Sequence, residues 1–545
     1  MTALKYRRPA VAAWAMLCAS SFVTLAGASP GAPVIAAPAG MIAGIQANQT
    51  NQYLGIPYAA PPVGALRWKA PAPASAWSGV LQAVASGADC PQAGSGGLPA
   101  GSEDCLYLNV YVPQGGKPSK PVMAWIHGGA FVEGTGARYD GSALAVTGDV
   151  IVVTINYRLG WLGFLSHPAL AAEDSKHSTG DYGLMDQQAA LAWVRKNIAA
   201  FGGDAANVTI FGESAGGQSV VDQLASPGAK GLFHQAIVQS GTFDVRLPTM
   251  QSAEKAGETF ATAQGCTSTS DASCLRGLSM AAIVASQSSS NAQKALTAFN
   301  PVTGGTTLPM QPMTAFLLGT FNRVPVLNGH THDEARLFTA NSFDLQSGPL
   351  QAADYPAAVK ALLGPLTAPF ALAFYPLSDY DSPDLAYASL YTDGGFACSA
   401  RVTEELLARY VPVFAYEFSD ENAYRFSPPK VTTLDMGAFH SSELPYLFPA
   451  LVADSPYGAT FSSAEQSLSN AMMSAWTEFA RTGRPAASAG SAWRRYDPAT
   501  DEVTALVPPA PQALPTHTRE HKCNFWAPFI VIEAALPGSI TGVNP

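Results

Sequence analysis

The stretch Asn207-Val208-Thr209-Ile210-Phe211-Gly212-Glu213-Ser214-Ala215-Gly216-Gly217 constrains the fold more than any other part of the chain. It reads as a short apolar strand that runs into Gly-Glu-Ser-Ala-Gly and then into a helix, Gln218 to Leu224. A strand that turns straight into a helix brings neighbouring backbone against the serine, and only glycine tolerates that approach at 212 and 216. Such a turn holds Ser214 in a strained conformation, with its hydroxyl above the sheet and a helix N-terminus behind it. A Gly-rich turn with a serine is usually only a turn. A chemical role therefore requires partners elsewhere in the chain.

The surrounding pattern is that of an α/β protein. Val122 to Ile126 and Val150 to Ile155 are near-continuous apolar runs, the pattern of strands covered on both faces. Asp186 to Phe201 carries Leu191, Val194, Ile198 and Phe201 at helical spacing, and Gly202-Gly203 stops it. Further strands are expected at Met41 to Gln46, Leu106 to Val112, Gln235 to Gly241, Val324 to Gly329 and Val413 to Phe418. Strands alternating with helices across 120–240 predict a mostly parallel sheet flanked by helices. Residues 245–320 and 345–410 read as helical excursions, and the prolines of Tyr53 to Trp68 predict an extended surface loop. A last helix is expected near Ala464 to Arg481, followed by an irregular tail. With no internal repeat and no long Ser/Gly linker, residues 29–545 read as one domain.

Hydrophobic content of 48% against 13% charged residues argues for a large buried core, although 545 residues would suffice for two or three average domains. The net charge of -10 disfavours nucleic acid and anionic membrane as partners. Residues 1–28 read as a cleaved signal peptide: Lys5, Arg7 and Arg8, an apolar run from Val11 to Leu25, then Ala26-Gly27-Ala28. The run is too short, and too quickly followed by Ser29-Pro30-Gly31, to be a membrane span. Removing it leaves 27 basic against 40 acidic residues, a charge of -13. Export predicts a secreted or periplasmic protein with oxidised cysteines. Six remain beyond Cys18, namely Cys90, Cys105, Cys266, Cys274, Cys398 and Cys523, and arithmetic alone allows fifteen pairings. Proximity suggests Cys90–Cys105 and Cys266–Cys274, leaving Cys398–Cys523.

A serine hydroxyl becomes a nucleophile when a base takes its proton and an acid orients that base. Where a G-x-S-x-G elbow is used, the chain order is Ser, then Asp or Glu, then His. Of nine histidines, His440, His517 and His521 lie well beyond a plausible acid. His517 and His521 sit in the charged segment Thr516 to Lys522, expected to be solvated tail, so His440 is the candidate base. Asp333 and Glu334 both qualify as the acid by position. His330 and His332 form an H-x-H beside them, but no nearby ligand completes a metal shell, so no metal site is expected.

Six motifs occur in order: Leu54-Gly55-Ile56-Pro57-Tyr58-Ala59, Ser102-Glu103-Asp104-Cys105-Leu106-Tyr107-Leu108-Asn109, Trp125-Ile126-His127-Gly128-Gly129-Ala130-Phe131, Asn156-Tyr157-Arg158-Leu159-Gly160, Phe201-Gly202-Gly203-Asp204 and Phe211 to Gly217. With them the chain resembles the type-B carboxylesterases, the family of cholinesterases and bacterial para-nitrobenzyl esterases, through nearly its whole mature length. The resemblance implies an α/β-hydrolase fold with helical insertions over an active-site gorge. It implies Ser214 as nucleophile, Glu334 as acid and His440 as base, and the disulfide pairings above. Gly129, Ala130 and Ala215 resemble the family's three-donor oxyanion hole, and Glu213, Ser240 and Glu443 its polar network beside the histidine. The Glu213 carboxylate would also suit a helix start on electrostatic grounds alone. Arg67–Glu103 and Arg158–Asp186 are expected to clamp loops to the sheet.

The implied reaction is hydrolysis of a small-molecule ester by water, with no metal or organic cofactor. The segment between Cys90 and Cys105 lacks an aromatic residue in its Gly-rich first part. That departs from the cholinesterases, whose loop carries a tryptophan for the choline cation, and points to neutral or anionic esters. Pocket walls are expected from 245–320 and 340–435. Two other readings are a catabolic esterase for a bulky ester, and an idle binding or adhesion homologue. Adhesive family members lack the serine, which is present here.

Overall fold

The computed structural model describes residues 32–243, 245–287, 299–423, 432–453, 460–487 and 493–535. The expected signal peptide at 1–28 lies outside these residues.

An 11-stranded sheet forms the frame. In chain order its strands are β1 (Ile45–Ala47), β2 (Thr50–Pro57), β3 (Tyr107–Pro113), β4 (Lys120–Ile126), β5 (Ile151–Ile155), β6 (Gly203–Glu213), β7 (Gln235–Gln239), β8 (Val326–Thr331), β9 (Val413–Phe418), β10 (Val503–Leu506) and β11 (Gln512–Leu514). Their spatial order is β11-β10-β9-β8-β7-β6-β4-β5-β3-β2-β1. The run from β10 to β5 is parallel throughout, and the antiparallel pairings lie at the two edges. The structure is thus an α/β-hydrolase fold with a large, mostly parallel sheet flanked by helices.

The apolar runs are buried on both faces, as their composition predicts. Along β4, Val122, Ala124 and Ile126 join one core cluster, while Met123 and Trp125 join the other. This alternation follows from the two-residue period of a strand. The first cluster includes Leu184, Leu191 and Val194 of the helix Tyr182–Asn197, and Val220 and Leu224 of the helix Ala215–Ala225. The second takes Leu144 of Ser142–Gly148 and Leu468, Met472, Trp476 and Phe479 of Ser463–Thr482.

Two parts of the chain differ from the sequence reading. Tyr53 to Pro57, expected in a surface loop, belong to β2, paired with β3. Pro57 stands at the strand's end, where its missing N–H costs little. The residues after Arg481 are no irregular tail. They add β10 and β11 to the sheet edge and return through the short helix His517–Glu520 into the helix Cys523–Ala535. His517 and His521, expected in solvent, are 2% and 3% exposed. The physical cause lies in interior partners the sequence does not display: His521 pairs with Asp393 and Glu417, and His517 meets His330 at 2.8 Å.

Three disulfides, Cys90–Cys105, Cys266–Cys274 and Cys398–Cys523, bridge the expected pairs. Arg67 pairs with Glu103, and buried Arg158 holds Asp186 through two contacts of 2.7 Å. One helix among the described residues, Tyr355–Phe374, is long and apolar enough to cross a membrane by length and composition. It carries Pro365 and Pro369 and breaks at Gly364, with φ 74°. Val359, Leu362 and Leu363 pack into the core.

Candidate active site

The parallel strands β4, β6, β7, β8 and β9 all end on the same edge of the sheet, where an open α/β sheet gathers functional loops. Beyond β4 come His127 to Ala130, beyond β6 Ser214, beyond β7 Ser240, and beyond β8 Asp333 and Glu334. His440 arrives on the long connection after β9.

Ser214 sits between β6 and the helix Ala215–Ala225 with φ 56° and ψ -126°, a conformation L-residues rarely adopt. Its N–H donates to Gln239 O at 2.9 Å, which ties the turn to β7. A Cβ on Gly216 would lie 2.0 Å from Ile126 O, and one on Gly212 2.5 Å from the Gly216 backbone. No side chain fits at either place, so the glycines are dictated by the backbone crossing.

Glu334 and His440 are in direct contact. The His440 Nδ1–H donates to Glu334 Oε2 in a short hydrogen bond, and Thr331 N donates to Glu334 Oε1 at 2.9 Å. Asp333, equivalent to Glu334 by position in the chain, faces elsewhere. It accepts from Ala438 N at 3.0 Å and pairs with Arg336 at 2.8 Å, so it fastens the His440 loop to the Glu334 loop.

On the other side of the ring, His440 Nε2 lies 3.2 Å from Glu213 Oε1, and Ser441 Oγ donates to the same oxygen. Ser214 Oγ makes no hydrogen bond among the described residues. Burial by itself would lower the pKa of His440, but the charges of Glu334 and Glu213 outweigh it and lift the imidazole to about 9. Burial pushes Glu334 up, yet the His440 cation and its hydrogen bond hold that carboxyl below the usual range. Ser240 Oγ adds to that lowering without completing a hydrogen bond of normal geometry. Glu443 is buried, and burial with the nearby charges of Glu213 and Glu334 raises it to about 8. It accepts from Gln239 Nε2 at 3.1 Å, and Gln239 Oε1 accepts from Trp476 Nε1 at 3.0 Å.

Gly129 and Ala130 have φ 107° and 52°, and neither N–H finds an acceptor among the described residues. Ala215 opens its helix, where the first N–H groups have no intrahelical partner. Ala215 follows Ser214 directly, and the glycine loop approaches it at Gly128, where a Cβ would lie 3.0 Å from Ser214 Cβ. Glu213, Glu334, His440, Glu443 and Ala215 are buried, while Ser214, Gly129 and Ala130 are part-exposed.

Several contacts that shape the site carry no sequence signal. Gln92, inside the Cys90–Cys105 loop, donates to Gly134 O at 3.0 Å and accepts from Gly134 N at 2.9 Å, holding the end of the glycine loop. His127 stacks on Tyr157 with centroids 4.5 Å apart, and the Tyr157 hydroxyl donates to His127 O at 2.8 Å. Phe338 and Phe396 place their rings 4.9 and 5.4 Å from His440, and Phe243 packs on Phe396 at 5.7 Å. Of these walls only Phe396 falls inside the expected pocket ranges, because ring proximity depends on loop folding rather than on local pattern.

The model of the Carboxylesterase family matches residues 31–526. The chain belongs to the carboxylesterase family. This carboxylesterase is 38% identical over 484 residues to the para-nitrobenzyl esterase of Bacillus subtilis (strain 168), covering 86% of this chain and 93% of that protein. It is 36% identical over 472 residues to the fumonisin B1 esterase of Sphingopyxis macrogoltabida, covering 84% and 83%. A solved PNB esterase structure superposes with a TM-score of 0.75 at 36% identity, over 90% of this chain and 99% of that one. The carboxylesterase is accordingly a hydrolase of carboxylic esters.

Proposed function

We propose that the protein is an exported serine carboxylesterase that forms an acyl-enzyme on Ser214, with residues 29–545 as a single catalytic domain. The observation that carries the reading is the strained Ser214 elbow, flanked by the His440–Glu334 pair and by the unpaired N–H groups of Gly129, Ala130 and Ala215. At rest the imidazolium is held on Glu213 through Nε2. Loss of that proton frees Nε2 to accept the proton of Ser214 as Oγ attacks the ester carbonyl. The Glu334 carboxylate then stabilises the imidazolium that forms, without itself taking the proton. The oxyanion is received by the three N–H groups, each contributing about 3 kcal/mol. His440 returns its proton to the departing alcohol, and water repeats the sequence on the acyl-enzyme.

The apolar rings of Phe338, Phe396 and Phe243 favour an ester with an uncharged acyl or alcohol part. The leader and three disulfides support export to an oxidising compartment. Ser214→Ala is expected to abolish hydrolysis of p-nitrophenyl butyrate while far-UV circular dichroism stays native. A labelled organophosphate should add covalently to wild type at Ser214. A folded wild-type protein that fails to react would indicate an idle binding homologue instead. Comparing p-nitrophenyl esters of increasing acyl size would test the bulky-ester alternative.

A further inference from the structure

We propose that His330, Glu417, His517 and His521 form a closed structural site for a divalent transition metal of the zinc class. The four residues come from three places in the chain. His330 on β8 and Glu417 on β9 are direct cross-strand partners, so their side chains share a face of the sheet. His517 and His521 stand one turn apart on the C-terminal segment, a spacing that presents two imidazoles to one ion. All four are buried, at 1–3% exposure, and one ligand atom from each lies within 4.8 Å of the others.

The distances suit a small cation. His330 Nε2 lies 2.8 Å from His517 Nε2, Glu417 Oε2 lies 2.8 Å from His521 Nε2 and 3.7 Å from His517 Nε2. Tetrahedral zinc, with bonds of about 2.0–2.2 Å, sets its ligand atoms roughly 3.4 Å apart. The three spacings bracket that value, and all four ligand atoms lie within 4.8 Å of one another, so side-chain shifts of up to about an ångström would close the shell.

The outer contacts favour ligation. His521 Nδ1 faces Asp393 Oδ1 at 2.7 Å, and Asp393 in turn accepts from the Tyr375 hydroxyl at 2.6 Å. His330 Nδ1 faces Thr331 O at 3.0 Å. The acceptor at His330 Nδ1 fixes the proton there and leaves its Nε2 directed inward; in His521 a metal would replace the proton that Nε2 shares with Glu417, while Asp393 holds Nδ1 as metal-bound imidazoles are held. His517 Nδ1 has no hydrogen-bond partner among the described residues, so its tautomer is set by what its Nε2 meets. Glu417 and Asp393 together match the charge of a dication. A cleft of about 150 Å³, lined by Asp333, Asp393, Glu520 and His521 among others, reaches His521 and offers carboxylates along the way. Three nitrogens and one oxygen suit zinc or cobalt rather than magnesium or calcium.

Bound metal would pin the C-terminal segment to the strand that leads into the Glu334 loop, and so would act on position and stability. The competing arrangement is a metal-free network in which the same groups share protons. Full-length protein should be stripped with a chelator and titrated with Co²⁺ and with Zn²⁺. One equivalent of Co²⁺ should bind with the intense visible absorption of a tetrahedral site, and Zn²⁺ should displace it and raise the thermal midpoint. Ser214→Ala should bind the same equivalent. His517→Ala should lose the tetrahedral spectrum, and Asp393→Asn, which keeps all four ligands, should weaken binding about 10–100-fold. Should His517→Ala misfold, Glu417→Gln serves the same purpose with little change in shape. Absence of a tetrahedral cobalt spectrum, a midpoint indifferent to zinc, or unaltered binding in folded ligand variants would each overturn the proposal in favour of the proton-sharing network.

Discussion

Glu213 occupies the variable position of the G-x-S-x-G turn, yet its carboxylate is one of two that hold the His440 ring. Its charge counts because it is buried beside the imidazole, where opposite charges favour the protonated ring. In the proposed mechanism His440 is a general base, which acts only when neutral, so kcat/KM should climb with pH through its ionisation, near 9. Glu213→Gln removes one negative neighbour and keeps the shape. The rising limb of kcat/KM should then move to lower pH by roughly one unit. An unmoved limb in the variant would mean that Glu334 alone sets the ring.

At the scale of elements, the sheet edge is assembled by loops whose own anchoring is apolar or capped. The helix Ser463–Thr482 covers one face of the sheet and supplies Trp476 to Gln239, the residue that holds Glu443. Its start carries a capping box: Ser462 Oγ accepts from Glu465 N at 3.2 Å, and Glu465 Oε2 accepts from Ser462 N at 2.6 Å. Ser462→Ala should lower the unfolding free energy by about 1 kcal/mol while leaving kcat unchanged, as chemical denaturation and ester hydrolysis would report. A fall in kcat of the same variant would show that the cap also positions the Glu443 network.

Over the whole molecule, the C-terminal segment is bound to the sheet at several points. Cys398–Cys523 spans 125 residues, β10 and β11 extend the sheet, and His521 pairs with Asp393 and Glu417. A bridge across a loop of this length stabilises by restricting the unfolded chain, by about 4–5 kcal/mol where strain is small. Replacing both Cys398 and Cys523 with serine should lower the denaturation midpoint by a corresponding amount. Proteolysis should then begin near residues 500–535. A midpoint equal to wild type would mean that the strands and ion pairs hold the segment without it.

The elbow, the doubly covered strands, the stop at Gly202 and the Ser–acid–His order were legible in the chain because each depends on local period or on a steric rule at one backbone position. Spacing left Asp333 and Glu334 equivalent, and only the folded loops separate them: one reaches Ala438 and Arg336, the other His440. The aromatic walls, the Gln92 clamp and the burial of His517 and His521 were likewise decided by tertiary structure. Each depends on residues distant in sequence, and a charged tail segment reads as solvated until the interior partners that neutralise it are in place. Sequence alone determined the scaffold and the turn at Ser214, through constraints the backbone imposes on its neighbours. Tertiary structure decided which carboxylate meets His440 and what surrounds it, because those contacts are set by where distant strands end.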